Sequence, residues 1–467
     1  MRSLIFLLLF SSQAFGAYEE QIVSADDFEN IVKNFGTSID IYNDTAVVGS
    51  FGGSTSFVAT YKRVNNIWNK QYQLIPSDHN PYVGDEIGYG FGLSMSLENN
   101  TLLVGARSDA DYVTQGGAVY AFTRSDETWT EVQKFTSDDL APNDNFGSDI
   151  SISGDTAIIG VRPGYPLDLA GYAYIFSKND GVWSQQQKIT SSDAQIGSRF
   201  GEQVAISGDT IVISAFSANN QNGVVYIFTQ NNGIWTEQQK LTASDSQNIR
   251  HFGKSVSIHN DTIVIGQTWP YENEYPSSAY VFKKENENWV EHQKLIPSDS
   301  TKRFAGDVSI FDDRIIIGAG CDDDNGHCAG SAYVFSMQDG FWVELHKLKA
   351  SDGDEQDYFG SRVSVHGDTA VIGASLKEVD GQYNTGSAYF YNLHVDSQTL
   401  FSGDTSKSLS QGGSTTGTLL ATDVDGLTDG SYFTISMPPV HGQAIINLTS
   451  GSWVYLGNPT YAGLDPF

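Results

Sequence analysis

Between residues 18 and 393 apolar residues alternate with polar ones in short runs, and Gly-, Asn- and Asp-rich breaks separate the runs. A period of two reads as strands with one face on a core, and no long stretch carries the spacing of an amphipathic helix. The region from Phe146 shows the unit most plainly. Phe146-Gly147-Ser148-Asp149-Ile150-Ser151-Ile152 is a strand, Ser153-Gly154-Asp155-Thr156 a tight turn and Ala157-Ile158-Ile159-Gly160 a second strand. After a variable loop come Ala173-Tyr174-Ile175-Phe176, a turn at Asn179-Asp180-Gly181, and a fourth strand from Trp183 to Ile189. Gly, Asn and Asp supply the backbone angles that such turns require.

The unit repeats. Phe-Gly stands at Phe35, Phe91, Phe146, Phe200, Phe252 and Phe359, and Phe304-Ala305 fills the remaining place, in steps of 56, 55, 54, 52, 52 and 55 residues. A four-stranded meander of this length cannot bury both its faces alone, so seven copies predict an all-β, seven-bladed propeller. The seventh copy runs through Ala388-Tyr389-Phe390-Tyr391 and then lacks its fourth strand. Glu19-Glu20-Gln21-Ile22-Val23-Ser24-Ala25 matches the fourth-strand sequence Glu237-Gln238-Gln239-Lys240-Leu241-Thr242-Ala243, so the N-terminal strand is expected to complete the last blade and close the ring.

The Phe-Gly pair, the following Ile372-Gly373-Ala374 and the strand Gly330 to Phe335 resemble the FG-GAP repeat of integrin alpha-subunit propellers and many secreted proteins. The resemblance covers residues 18 to 393 and implies an extracellular recognition or adhesion module without fixing its ligand. Integrin-type copies often carry Asp-x-Asp-x-Asp-Gly calcium loops between the first two strands. Here that connection is a short turn, too short to supply six oxygen ligands, so those sites are not carried over.

Composition divides the chain further. Residues 1–16 have a charged start at Arg2, an apolar run from Leu4 to Phe10 and the exit Ala14-Phe15-Gly16, the anatomy of a secretory signal cleaved after Gly16. No later segment has the length of apolar sequence that spans a bilayer, which predicts a secreted chain without membrane insertion. The propeller is assigned to residues 17–394. Residues 395–418 read as a linker and first strand region, rich in Ser, Thr and Gly. Residues 419–467 resemble an incomplete cadherin-like β-sandwich module, through Leu420-Ala421-Thr422-Asp423-Val424-Asp425-Gly426 and the ending from Asn458 to Phe467. That ending precedes one further strand in the cadherin-like family, so either the sequence is a fragment, the preferred reading, with any C-terminal anchor beyond Phe467, or the module takes a partner strand at its open edge.

The formal charge of −30 disfavours nucleic acid and anionic lipid and favours cationic partners, Ca²⁺ among them. The nine histidines are scattered, and no nucleophile elbow, zinc-helix or phosphate-loop motif is found, so no catalytic residue is nominated. Trp68, Trp129, Trp183, Trp235, Trp289 and Trp342 recur at the start of the fourth strand, a regularity that favours packing over ligand stacking. Cys321 and Cys328 bracket Asp322-Asp323-Asp324-Asn325-Gly326-His327 and are expected to form a disulfide. Candidate Ca²⁺ ligands are Asp322, Asp323 and Asp324 with Asp352, Asp354 and Asp357, and separately Asp423, Asp425 and Asp429. Sequons stand at Asn43, Asn99, Asn260 and Asn447, and the Asn-Asp-Thr of the first and third is also good turn chemistry.

In a meander the first-to-second and third-to-fourth turns share one face, and the second-to-third and fourth-to-first connections share the other. The first set is uniform; the second differs in every copy, and variable loops on a rigid support are where binding usually resides. An extracellular protein or glycan is therefore expected on the variable face, with Asp109, Asp111, Trp269, Tyr271, Asp322 and Asp324 as candidate contacts. The rival readings are a lectin-like propeller and the regulatory propeller of a longer extracellular enzyme.

Overall fold

The computed structural model describes residues 17–24, 28, 33–52, 56–78, 90–162, 164, 170–193, 195–246, 250–268, 277–299, 301, 303–393, 400–403, 413–422, 440, 442–447, 450 and 452–458. The expected leader, Trp269, Tyr271, Asp423, Asp425 and Asp429 lie outside these residues.

Six antiparallel meanders occupy residues 38–74, 91–135, 146–189, 204–241, 252–295 and 307–348. The seventh sheet joins Arg362–His366, Thr369–Ala374 and Ser387–Asn392 to Tyr18–Ser24, so the first described strand supplies the outer strand of the last blade. Burial within a blade follows from its neighbours. The second strand of the first blade, Thr45–Ser50, is buried at every position because blades cover both its faces. An outer strand such as Ile234–Leu241 alternates, with Trp235 and Leu241 inward and Ile234, Thr236 and Gln238 outward.

The core is accordingly a set of seams rather than one centre. Val47 and Val58 of the first blade pack with Phe91, Leu102, Val104 and Tyr120 of the second. Each such side chain is worth about 1.5–3 kcal/mol when fully buried. Polar contacts fix the register between blades. The Gln239 side chain bonds both backbone groups of Trp289, at 2.7 and 2.8 Å, and Gln133, Gln187 and Gln293 do the same for Trp183, Trp235 and Trp342.

The N-terminal strand makes these contacts across the last seam. Gln21 bonds both backbone groups of Trp68, at 2.8 and 2.9 Å, and Trp68 stacks on Phe390 with centroids 4.5 Å apart. Glu19 accepts from the Ser351 amide and hydroxyl, as Glu237 accepts from Ser192 and Glu291 from Ser244. At the channel side Ser364 donates to Asp40 at 3.0 Å, joining the seventh blade to the first.

Tyr18–Leu393 forms one compact unit, and the strands after His394 belong to another. In that second unit Leu400–Gly403, Ser414–Thr422, Ser452–Gly457 and Gly442–Ile446 form a sheet in that spatial order, with Trp453 and Tyr455 buried.

Candidate functional site

The two faces of the propeller are built differently. On the uniform face the first residue of each first-to-second turn has positive φ: Asn43 (52°), Asn99 (53°), Gly154 (60°), Gly208 (54°), Asn260 (49°), Asp312 (47°) and Gly367 (58°). Only Gly, Asn and Asp adopt that conformation readily, which accounts for the three asparagines of the sequons without reference to glycans. A groove of about 480 Å³ on this face is lined by Asn43, Arg63, Asn99, Arg124 and His366. Its arginines are engaged: Arg63 bonds Glu20 at 2.5 Å and Thr369 at 3.2 Å, and Arg124 bonds Thr45 at 2.6 Å and Asn100 at 3.1 Å.

On the other face a polar clasp recurs at the blade seams. A loop aspartate that follows one blade accepts from a tyrosine and pairs with a lysine of the next. Asp139 meets Tyr174 and Lys188, both at 2.6 Å; Asp193 meets Tyr226 at 2.7 Å and Lys240 at 2.8 Å; Asp245 meets Tyr280 at 2.7 Å and Lys294 at 2.6 Å. In the second and sixth blades the variable loop adds two carboxylates. Lys134 lies 2.6, 2.9 and 2.6 Å from Asp78, Asp109 and Asp111, and Lys347 lies 2.6, 2.5 and 2.7 Å from Asp299, Asp322 and Asp324. Burial alone would raise the Asp299 carboxyl, but Lys347, Thr301 and Tyr333 hold it down at about 2. In the seventh blade Ile22 stands opposite Tyr389, where the second to sixth blades have the lysine, and Lys377 from the loop pairs with Asp352 and Asp357 at 3.3 and 3.1 Å.

These clasps relocate several expected contacts. Asp109 and Asp322 are buried at the bases of their loops, and Asp111 and Asp324, though partly exposed, are tied to the same ammonium groups. Asp322, Asp323 and Asp324 do not form one ligand set, because Asp323 turns away to accept the Cys328 amide at 2.9 Å. The position among Asp299, Asp322 and Asp324 that a Ca²⁺ would take is held by Lys347, so these residues do not fit the ion. Asp357 accepts the Asp354 amide at 2.8 Å, while Asp352 accepts from Tyr389 at 2.8 Å. Cys321 and Cys328 are bonded to each other, and all six repeated tryptophans are buried.

The variable face also holds a feature that reading the loops did not reveal. A cavity of about 570 Å³ opens where the fourth to seventh blades meet the central channel, lined by Arg199, Phe216, His251, Lys254, Arg303 and Tyr358 among others. Lys254 Nζ lies 4.6 Å from the Phe216 ring centroid and the Arg199 guanidinium 5.4 Å from it, with the His251 ring edge-on at 5.3 Å. Arg107, Arg162 and Arg362 are close enough to act electrostatically on one another or on Lys254. Burial and these neighbouring cations lower the pKa of Lys254, while burial with Lys254, Arg199 and Arg250 pushes His251 down to about 4. Glu202 is the carboxylate at the rim, 3.2 Å from Arg199 and 3.6 Å from Arg162. Asp149 and Asp307 are half-buried, and desolvation raises their carboxyls, Asp149 to about 7, against the pull of Arg362.

The signal for this mouth was present in the repeat columns. Arg107 and Arg162 both follow the second strand of their blades, and Arg199 and Arg303 both precede the Phe of the next strand.

The fold and its sequence define a family. Residues 68–122, 129–176, 183–228, 235–282, 289–335 and 342–391 match the FG-GAP repeat, and the chain belongs to that family. Each matched stretch starts at the outer strand of one blade and ends in the third strand of the next, the same offset that leaves an outer strand at the chain's beginning to close the ring. The chain is also 25% identical over 270 residues to mouse (Mus musculus) integrin alpha-2, a match that spans 52% of this chain and 22% of that protein. A Lactobacillus plantarum protein of known crystal structure is similar at 10% identity and a TM-score of 0.45, over 67% of this chain and 84% of its own.

Proposed function

We propose that this chain is a secreted or cell-surface, non-catalytic recognition module that binds a protein partner on its variable face, centred on the cavity formed by the fourth to seventh blades. The observation that carries this reading is the cavity itself, which is of ligand-site size and opens among loops that differ from blade to blade on a scaffold locked at every seam. Membership of the FG-GAP family and the similarity to integrin alpha-2 support an extracellular adhesion role. Among the described residues no helix is long and apolar enough to cross a membrane.

The arrangement around the cavity suits holding charge more than transferring a proton. Glu202, its rim carboxylate, is engaged by two arginines, which leaves it poorly placed as a general base. A sugar-stacking site is not favoured either, since the repeated tryptophans are buried and the Phe216 ring is crowded by Lys254 and Arg199.

A photo-crosslinking residue at Gln221, beside the cavity, should capture an extracellular protein from the source's own surface or medium. The same residue at Asn99 on the opposite face should not. Capture from Asn99 alone would contradict the reading.

A further inference from the structure

We propose that the cationic channel mouth receives one carboxylate, carried on an acidic side chain of the protein partner. The inference rests on the reading above and adds to it the chemistry of the contact.

The first argument is local charge. Arg107, Arg162, Arg199, Lys254, Arg303 and Arg362 gather at one end of the channel in a chain of 26 Lys and Arg against 56 Asp and Glu. Glu202 balances two of them, and the half-buried Asp149 and Asp307, whose carboxyls are raised by burial and lowered by Arg362, are the other carboxylates near the mouth. Like charges partly withdrawn from water repel, so an anion placed among them is favoured both by direct pairing and by relief of that repulsion.

The second argument limits the anion. With a formal charge of −30 the molecule repels polyanions as a whole, but charges farther than about 8 Å are screened at physiological salt. One carboxylate inside the mouth therefore meets the local cations, while a sulfated polymer or nucleic acid would also meet the acidic surface. The third argument is the cavity's lining. Phe216 is 3% exposed, with Lys254 and Arg199 over its ring, so it positions those two cations and offers a sugar no free ring face.

The test titrates the full chain with a capped Gly-Glu-Gly tripeptide, using saturation-transfer NMR at low salt. Its Gly-Gln-Gly counterpart, glucuronate and sulfate are the comparison arms. Saturable binding of the glutamyl peptide is expected, weakened about tenfold or more by Lys254→Met and by Arg199→Gln, and retained within about threefold in Lys254→Arg. An unchanged melting temperature establishes that each variant is folded, and two separate variants guard against one that is not. Binding of glucuronate alone would make this a sugar site. Equal binding of sulfate, or of the glutamine peptide, would make it unselective. Either result, or no binding of any probe, overturns the inference. Crosslinking from Gln221 reads the partner without reference to its charge, so success there with failure here would sink this inference and leave the recognition face standing.

Discussion

On the uniform face Arg63 is committed to Glu20 and Thr369 and Arg124 to Asn100 and Thr45, whereas on the variable face Arg199 and Arg162 share the one carboxylate of Glu202 and Lys254 lies over Phe216 with further cations as neighbours. Both faces carry a groove lined by basic residues, of about 480 and 570 Å³. Volume and residue type therefore do not separate them; the difference lies in what the cations already hold. Charges that bond a neighbouring strand are part of the scaffold. Charges whose neighbours are mostly other charges of the same sign are a destabilising arrangement, of the kind that persists where a ligand uses it. The turns beneath each groove differ in how far they are fixed: the first-to-second turns keep one backbone conformation through seven copies, whereas the second-to-third loops share only the positive-φ glycine that returns them to the third strand, at Gly117, Gly171, Gly223, Gly330 and Gly386.

If both faces stand on one closed ring, the largest effect comes from opening it. Removing Tyr18–Ser24 strips the outer strand from the seventh blade together with the Gln21–Trp68, Glu19–Ser351 and Glu20–Arg63 contacts. A loss on the order of 5 kcal/mol or more is expected, from several ladder hydrogen bonds at about 1 kcal/mol each and the buried Val23. Thermal unfolding checks it; a melting temperature within a few degrees of the parent would show that the strand is dispensable.

A pair of glycines sharpens the comparison between faces. Gly330 returns a variable loop to its third strand with φ 91°, and a Cβ there would overlap the Phe359 carbonyl oxygen. Gly340, with φ 87° in a third-to-fourth turn of the same blade on the uniform face, meets nothing within 4 Å. Gly340→Ala should therefore cost about 1 kcal/mol of conformational strain and Gly330→Ala roughly 3 kcal/mol or more. Urea midpoints measure both. Equal costs would mean that the bases of the variable loops are no more tightly fixed than the turns opposite.

The clasp under the variable face and the channel wall should respond to pH with opposite signs. The Asp299 carboxyl is held at about 2 in the folded state, so its contribution is present above the unfolded value near 4 and lost as pH falls through 2. Asp149 is pushed up to about 7, chiefly by burial. The folded state therefore holds its proton more tightly, and stability declines as pH rises from about 4 to 7. Asp299→Asn should destabilise at pH 7 but not at pH 2, and Asp149→Asn should flatten the decline between pH 4 and 7. Melting curves across that range decide; parallel profiles for the two variants would contradict the assignment. The smallest effect is expected at the sequon turns. Asn99→Gly should alter stability by less than about 0.5 kcal/mol and leave partner binding unchanged, because Gly154, Gly208 and Gly367 occupy the same slot with the same sign of φ.

The scaffold was legible because its constraints recur. The match of Glu19 to Ala25 with Glu237 to Ala243 placed the closing strand correctly because Glu19 and Gln21 perform the same interblade bonds as Glu237 and Gln239. The cationic mouth left its signal only in the repeat columns and was missed, for a physical reason. Its residues come from six blades, each step is about fifty residues of sequence, and the net charge of −30 averages them away. The acidic loop residues drew notice instead because Asp322 to Asp324 are contiguous. Lys134 and Lys347, which neutralise them, lie in strands where a lysine reads as an ordinary exposed residue.

The most direct test is a crystal structure of the full chain soaked with the capped Gly-Glu-Gly tripeptide at saturation. The account predicts the glutamate carboxylate at ~3 Å from Lys254 Nζ or the Arg199 guanidinium, with the peptide lying across the mouth of the variable face. Peptide density in the groove between Asn43, Asn99 and His366 on the uniform face, or a mouth empty of peptide at saturation, would contradict it.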